Sequence, residues 1–367
     1  MTSTGPVYPA VFAHMAHKPT ISIHERFAEF VAEAKLADEL GFDYFFTTEH
    51  HFSGDFSLSP SQPVTLGALT QATKNIRIGP MIVNMTVSDP LRVAEEILIL
   101  DHMSNGRLEI GLGRGSRVHE HVTFGVRTET DRARLAEGID FVVKALTTRG
   151  NFSSLGEFHQ YFDVELPWEP LQKPYPPVWV PTLSPDSARS YALRGFHNAG
   201  IAFIPWDRMR PSFEASNEAW AEAGHPPENR RLGYMASTIV AETDEEARRL
   251  MYEHFPHQVS LFEYEASRSY AITGAQWDPF EDLKTKLTES EDRLAFLCGS
   301  PETVAERIGI LKAEFGMNVY LGEFAFGLLD FDDVARSMRL FMDEVMPRVN
   351  RDAGPSGRVG RQQQHHL

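Results

Sequence analysis

Apolar positions along the chain follow two alternating rhythms. Short apolar runs read as strands at "PAVF" from Pro9, "DYFFT" from Asp43, "IRIGPMIV" from Ile76, "RLEIGLG" from Arg107, "VWV" from Val178, "NAGIAFI" from Asn198, "RLGYMASTIV" from Arg231 and "NVYLGEF" from Asn318. Between them lie segments with apolar residues at helical spacing. "HERFAEFVAEAKLADEL" from His24 stops at Gly41, a C-cap signal. "DPLRVAEEILILDHM" from Asp89 carries Pro in its first turn. "TDEEARRLMYEHF" places Thr243 and Glu246 at capping-box spacing, and "SPETVAERIGILKAEFG" runs from Ser300 to Gly316. Strands followed by helices predict parallel βα units. A doubly wound sheet and a closed barrel share that pattern. Eight repeats without a clear linker favour an α/β (β/α)8 TIM barrel, one domain over residues 1–350. The segment Pro256–Asp292, between the seventh and eighth strands, is long, polar and weakly patterned, which predicts a lid or insertion. The tail 351–367 is rich in Gly and Gln and is expected to be disordered.

Composition narrows the partners. The 367 residues are 42% hydrophobic and 23% charged, an ordinary globular balance. A formal charge of -16 disfavours nucleic acid and anionic membrane. The single cysteine, Cys298, excludes an intramolecular disulfide and fits a reducing, cytoplasmic setting. No apolar run reaches membrane-spanning length, and "MTSTGPVYPAVF" lacks a basic region followed by an apolar core, so no signal peptide is expected.

Four stretches could carry chemistry. "TTEHHF", Thr47–Phe52, follows the second strand and offers Glu49, His50 and His51. Imidazole titrates near neutrality, so His50 is a general acid/base candidate. Within this stretch a metal reading lacks any HxH or HExxH pattern, and no metal is expected. An isolated histidine pair is also compatible with a structural role. "GLGRGS", Gly111–Ser116, allows close backbone approach at Gly113 and offers Arg114 as a phosphate clamp. Its glycines are not spaced as the dinucleotide fingerprint. "VPTLSPDSARSYA" from Val180 starts a helix with Ser184 as N-cap, Pro185 next and Ser187 in the first turn. Helix N-termini bind anions, although plain capping explains the same residues. "IGPMIVNMTVSDP" from Ile78 presents an apolar run that includes Met81 and Ile82.

In this order, with "DPLRVAEE", "LDHMSNGR" and "GRG" in register and "GSPETVAERIGIL", "GEFAFG" and "SMRLFMDEVMP" near the end, the chain resembles the bacterial luciferase-like, flavin-dependent monooxygenases, the luciferase α subunit in particular. The resemblance spans most of residues 9–347. It implies a TIM barrel with reduced FMN bound at the strand C-termini. The flavin would come from a separate flavin reductase, react with O2 to a C4a-hydroperoxyflavin, and oxygenate a small organic substrate. By position it implies Arg114, Ser184 and Ser187 at the phosphate. Met81 and Ile82 would lie beneath the ring, where relatives carry a non-proline cis peptide. His50 would be the catalytic histidine, with Glu49 tuning it and His51 structural. It also implies a homodimer, or a heterodimer with a related chain, through the helix at Asp89–Met103 and the helix before it. Gly113 stands where the luciferase α subunit has a reactive cysteine, which would open space over the ring. Leu183 replaces an acidic residue. Neither change favours light emission. An F420-dependent oxidoreductase, a non-catalytic flavin-binding accessory protein and a metal-dependent hydrolase are the competing readings.

Overall fold

In the computed structural model, which describes residues 5–274 and 280–351, all eight apolar runs form strands. They are β1 (Tyr8–Ala13), β2 (Tyr44–Thr47), β3 (Arg77–Pro80), β4 (Ile110–Gly113), β5 (Val178–Trp179), β6 (Asn198–Ile201), β7 (Leu232–Val240) and β8 (Val319–Glu323). The pairings among these eight are parallel. Ala10 stands opposite Tyr44, Tyr44 opposite Arg77, Ile78 opposite Leu108, Ile110 opposite Val178, and Trp179 opposite His197. Asn198 then pairs with Leu232, Gly233 with Val319, and Val319 with Tyr8. Short strands at Val83–Asn84 and Leu297–Gly299 flank β4 and β7. An antiparallel hairpin, Phe152–Leu155 with Gln160–Val164, lies outside this arrangement.

Parallel strands need crossover connections, and helices supply them. They are α1 (Ile23–Leu40), α2 (Gln62–Ala72), α3 (Pro90–Met103), α4 (Val118–Thr123), α5 (Asp131–Thr147), α6 (Pro185–Leu193), α7 (Trp206–Glu222), α8 (Asp244–Thr273), α9 (Phe280–Thr285), α10 (Leu287–Asp292), α11 (Pro301–Phe315) and α12 (Phe331–Leu340). Local chemistry sets many of their ends. Ser22 and Glu25 close a capping box on α1, and Gly41 ends it at φ 86°. Asp89 caps α3, Thr243 caps α8 and Ser300 caps α11.

The strands bury both faces. One face packs against the helices in the main core, through residues such as Val11, Phe45 and Ile78. The other gathers Ala10, Tyr44, Phe46, Trp179, Met235 and Leu321. Its N-terminal end is polar. Arg77 pairs with Glu109, Trp179 Nε1 donates to Glu109 Oε2 at 2.7 Å, and Arg231 Nε donates to Tyr44 OH at 2.9 Å. Strands come close here: a Cβ on Gly79 would lie 2.5 Å from the Glu109 carbonyl.

The segment 256–292 differs from an unpatterned loop. It continues α8 through Pro256 to Thr273, and resumes as α9 and α10. Residues 275–279, and residues 352–367 of the expected tail, lie outside the described residues. Among the described residues no helix is long and apolar enough to cross a membrane.

Candidate active site

The C-terminal ends of β1, β2, β3, β4 and β8 bring together residues far apart in sequence. Beyond β2 the backbone leaves the strand at Thr48, whose carbonyl accepts from Gln62 Nε2 at 2.5 Å. His50 Nδ1 lies 3.1 Å from Oε1 of Glu120, which is buried on α4. The same Glu120 oxygen accepts the His51 amide at 3.0 Å, which fixes the carboxylate against the loop. His50 Nε2 has no hydrogen bond among the described residues, so it is the nitrogen left for a ligand. Burial holds His50 well below the usual imidazole range, and His14 and Arg117 push the same way. Burial also raises the Glu120 carboxyl. Both shifts run toward the uncharged forms.

Glu49 was expected to tune His50, and here the geometry differs. Its Oε1 lies 3.1 Å from His51 Nε2 and accepts the Asn84 amide at 3.2 Å. Residues 49 and 51 of an extended segment share a side, so Glu49 meets His51, and Glu120 takes the partner role at His50. Burial raises the Glu49 carboxyl. Burial lowers His51, but the hydrogen bond and charge of Glu49 outweigh it, and His51 ends above its ordinary value. His51 also packs its edge on Phe124 at 4.9 Å.

A second polar group lies behind His50. His14, buried at the end of β1, has its ring 5.5 Å from that of His50 and its Nδ1 3.6 Å from Glu323 Oε1. Glu323 also accepts from Ser237 Oγ at 2.6 Å and from Gln258 Nε2 at 2.9 Å. Gln258, Phe262, Glu265 and Ser269 form one buried stripe of α8. Phe262 packs against His14 and Phe56, Glu265 accepts from Ser53 Oγ at 2.8 Å, and Ser269 Oγ accepts the Val118 amide at 3.1 Å.

The expected cofactor residues lie on neighbouring strand ends. Met81 and Ile82 follow β3, half-buried, and the bond between them is cis. Gly113 ends β4 directly beneath Ile82: a Cβ there would lie 2.6 Å from Ile82 Cγ1. The missing side chain is thus filled by Ile82, and no gap opens, contrary to the sequence expectation. Arg114 is 46% exposed and pairs with Asp131 at 2.8 Å. Ser184 caps α6 by accepting the Ser187 amide at 3.4 Å. Asn84 Nδ2, buried and without a partner among the described residues, is a further donor beside Gly115. A half-exposed apolar pair, an accessible guanidinium, an open helix N-terminus and an orphaned amide fit a planar ring with an anionic tail. His50 and His51 turn to separate carboxylates. Among the described residues no three His, Cys, Asp or Glu side chains are grouped to hold a metal.

Sequence reasoning missed Glu120, Arg117, Glu265, His14, Gln258 and Glu323. A signal for Glu120 was present: "HEH" at His119–His121 places a carboxylate just beyond the glycine loop of β4.

Parallel strands with ligand-ready residues at their C-terminal ends define an α/β enzyme fold of the TIM-barrel type. The chain belongs to the luciferase-like monooxygenases, whose family model matches residues 7–318. It is 26% identical over 341 residues to the alkanal monooxygenase alpha chain of Photorhabdus luminescens, covering 90% of this chain and 94% of that one. Its structure is similar to that of the monooxygenase RslO1 from Streptomyces bottropensis, with a TM-score of 0.81, 25% identity, and coverage of 93% and 99% of the two chains. It shares its fold with the oxygenating constituent of 3,6-diketocamphane monooxygenase from Pseudomonas putida, a type II Baeyer-Villiger enzyme in complex with FMN. There the TM-score is 0.76, identity 24%, and coverage 94% and 99%.

Proposed function

We propose that this protein is the oxygenase component of a two-component, FMN-dependent monooxygenase. It takes reduced FMN from a separate flavin reductase and uses O2 to oxygenate a small organic substrate. One oxygen atom enters the substrate, the other leaves as water, and the flavin is oxidised. The observation that carries this reading is the His50–Glu120 pair beyond β2, joined through His51 and Glu49 to the Asn84 amide two residues past Ile82.

Reduced FMN, when bound, supplies the two electrons that activate O2. Met81 and Ile82 form the apolar seat for its ring, with Gly113 allowing Ile82 to lie flat against β4. Arg114, with the α6 N-terminus at Ser184 and Ser187, holds the phosphate. His50, neutral through burial, holds or passes a proton at Nε2 while Glu120 fixes Nδ1. Glu49 acts one step away, by fixing His51 and the Asn84 amide.

The circuit of pairings from β1 to β8 and back supports a closed (β/α)8 barrel. The described parts of 256–292, whose α8 stripe covers the His50 side, serve as its lid and keep water out. A dimer forms through α2 and α3, where Val64, Ile99 and Met103 are exposed. Sedimentation at micromolar concentration showing only monomer would refute that interface. The function itself is tested by turnover with reduced FMN, O2 and a panel of organic substrates. Oxygenated product supports it. Hydride transfer with reduced F420 and no oxygenation with FMN would replace it.

A further inference from the structure

Among the described residues three arginines are buried: Arg26, Arg117 and Arg231. Two are saturated. Arg26 Nε donates to the Ala16 carbonyl at 2.9 Å, and Arg231 donates to Tyr44 OH and to the carbonyls of Glu228 and Arg230. Arg117 is different. It is 9% exposed, its Nε is buried without a partner, and its guanidinium has no hydrogen bond or ion pair with any described residue.

What touches Arg117 is aromatic. Its guanidinium lies 4.9 Å from the Phe56 ring centre and 5.8 Å from that of Phe262. Ring faces stabilise the charge but leave the in-plane N–H donors unfilled. The nearest carboxylates are engaged elsewhere. Glu120 holds His50 and the His51 amide, while Glu265 holds Ser53 and Arg268 and lies 3.2 Å from His119 Nε2. A buried cation with open donors is costly unless something fills them. The site adjoins the His50 side: Phe56 packs 4.8 Å from the His50 ring and also carries Arg117.

We propose that Arg117 anchors a carboxylate on the substrate, so that the enzyme acts on an organic acid. The guanidinium fork matches two carboxylate oxygens. This rests on the His50 pocket being where substrate is oxygenated. It names a substrate class and makes Arg117 a specificity-determining residue.

The test uses the flavin-free protein with benzoate and its neutral isostere benzamide, measured by calorimetry and thermal shift. Benzoate should bind and raise Tm, and benzamide should bind at least about tenfold more weakly, the size expected of a charge-assisted contact. Arg117→Met should lose about tenfold or more in benzoate affinity and its thermal shift, and Arg117→Lys should recover part. Arg117→Met removes an unpaired buried charge, so its own Tm should hold or rise. Equal binding of the two probes, no benzoate binding, or unchanged benzoate binding in Arg117→Met would overturn the proposal. So would a selective loss of reduced FMN affinity in Arg117→Met, which would give the residue to the cofactor. A protein that binds benzoate through Arg117 but not reduced FMN would keep this inference and sink the flavin reading.

Discussion

His50 and Glu120 stand 70 residues apart in sequence, yet Nδ1 and Oε1 lie 3.1 Å from each other. If this pair passes the proton, His50→Ala should still bind reduced FMN, since no phosphate contact changes. It should consume flavin and O2 while releasing hydrogen peroxide, with product formation down by roughly 10²–10⁴. Glu120→Gln keeps a side chain of the same size without the acid and should show a milder loss of the same kind. Product formed per flavin oxidised is the readout. Full coupling in His50→Ala would take the histidine out of the mechanism.

Arg114 is already paired to Asp131 at 2.8 Å, so any phosphate must share it. Arg114→Ala should weaken reduced FMN by about tenfold to a hundredfold and leave reduced riboflavin nearly unaffected. Asp131→Asn should tighten FMN, because a competing carboxylate is gone. Titration of both flavins against the three proteins tests the assignment, and equal losses for FMN and riboflavin would defeat it.

Gly113 sits under Ile82 with no room for a Cβ, at 2.6 Å from Cγ1. Gly113→Ala should destabilise the protein by about 1–3 kcal/mol through overpacking. Adding Ile82→Ala should recover part of that loss, since the two residues contend for one space. Urea unfolding of the single and double variants measures the coupling. Strictly additive effects would show that Ile82 is not the obstacle.

His197 is buried between Trp179 and Trp220, and its Nδ1 has no partner among the described residues. Burial first, then Arg231, Arg77 and Arg230, pull it down to about 3. The folded value lies below the unfolded value of about 6.5, so the unfolded chain takes up the proton first as pH falls. Stability is complete above about pH 6.5 and is lost between there and pH 3. By pH 5 this one group should cost about 2 kcal/mol. His197→Phe, neutral throughout, should lose stability less steeply across that window. Parallel slopes for the two proteins would refute the account.

Trypsin should first cut at Lys284 or Lys286, in and beside the short helices α9 and α10. Short helices open more readily than long ones. Reduced FMN with substrate should slow the cut if the segment closes over the site. Cleavage starting elsewhere and indifferent to ligand would remove the lid.

The strands and many helix ends were legible because their signals are local. Apolar runs, Ser and Thr caps and Gly41 or Gly316 act over a few residues. The cis bond between Met81 and Ile82 was legible only through the family resemblance. The far half of α8 was not legible, and the reason is physical. Its inner face buries Gln258, Glu265 and Ser269, so the amphipathic rhythm that marks a helix is broken by polar residues. The partner of His50 was hidden for another reason. Nothing within "TTEHHF" reports that β4 and its loop will deliver Glu120 from across the sheet. Glu49, the nearer carboxylate, was the natural guess, and strand alternation turns it to His51.

Gln258, Phe262, Glu265 and Ser269 reach four different neighbours, yet all ride on one unbroken helix that starts at Asp244. They therefore share a single phase. Each residue added to a helix turns the downstream residues by about 100° and advances them by about 1.5 Å. One residue inserted between Thr243 and Gln258 would withdraw Gln258 from Glu323, Phe262 from His14, Glu265 from Ser53 and Ser269 from Val118 in one movement. Length can vary beyond Thr273 without disturbing any of them. Ahead of Gln258, the helix's outward positions tolerate substitution but not a change of count.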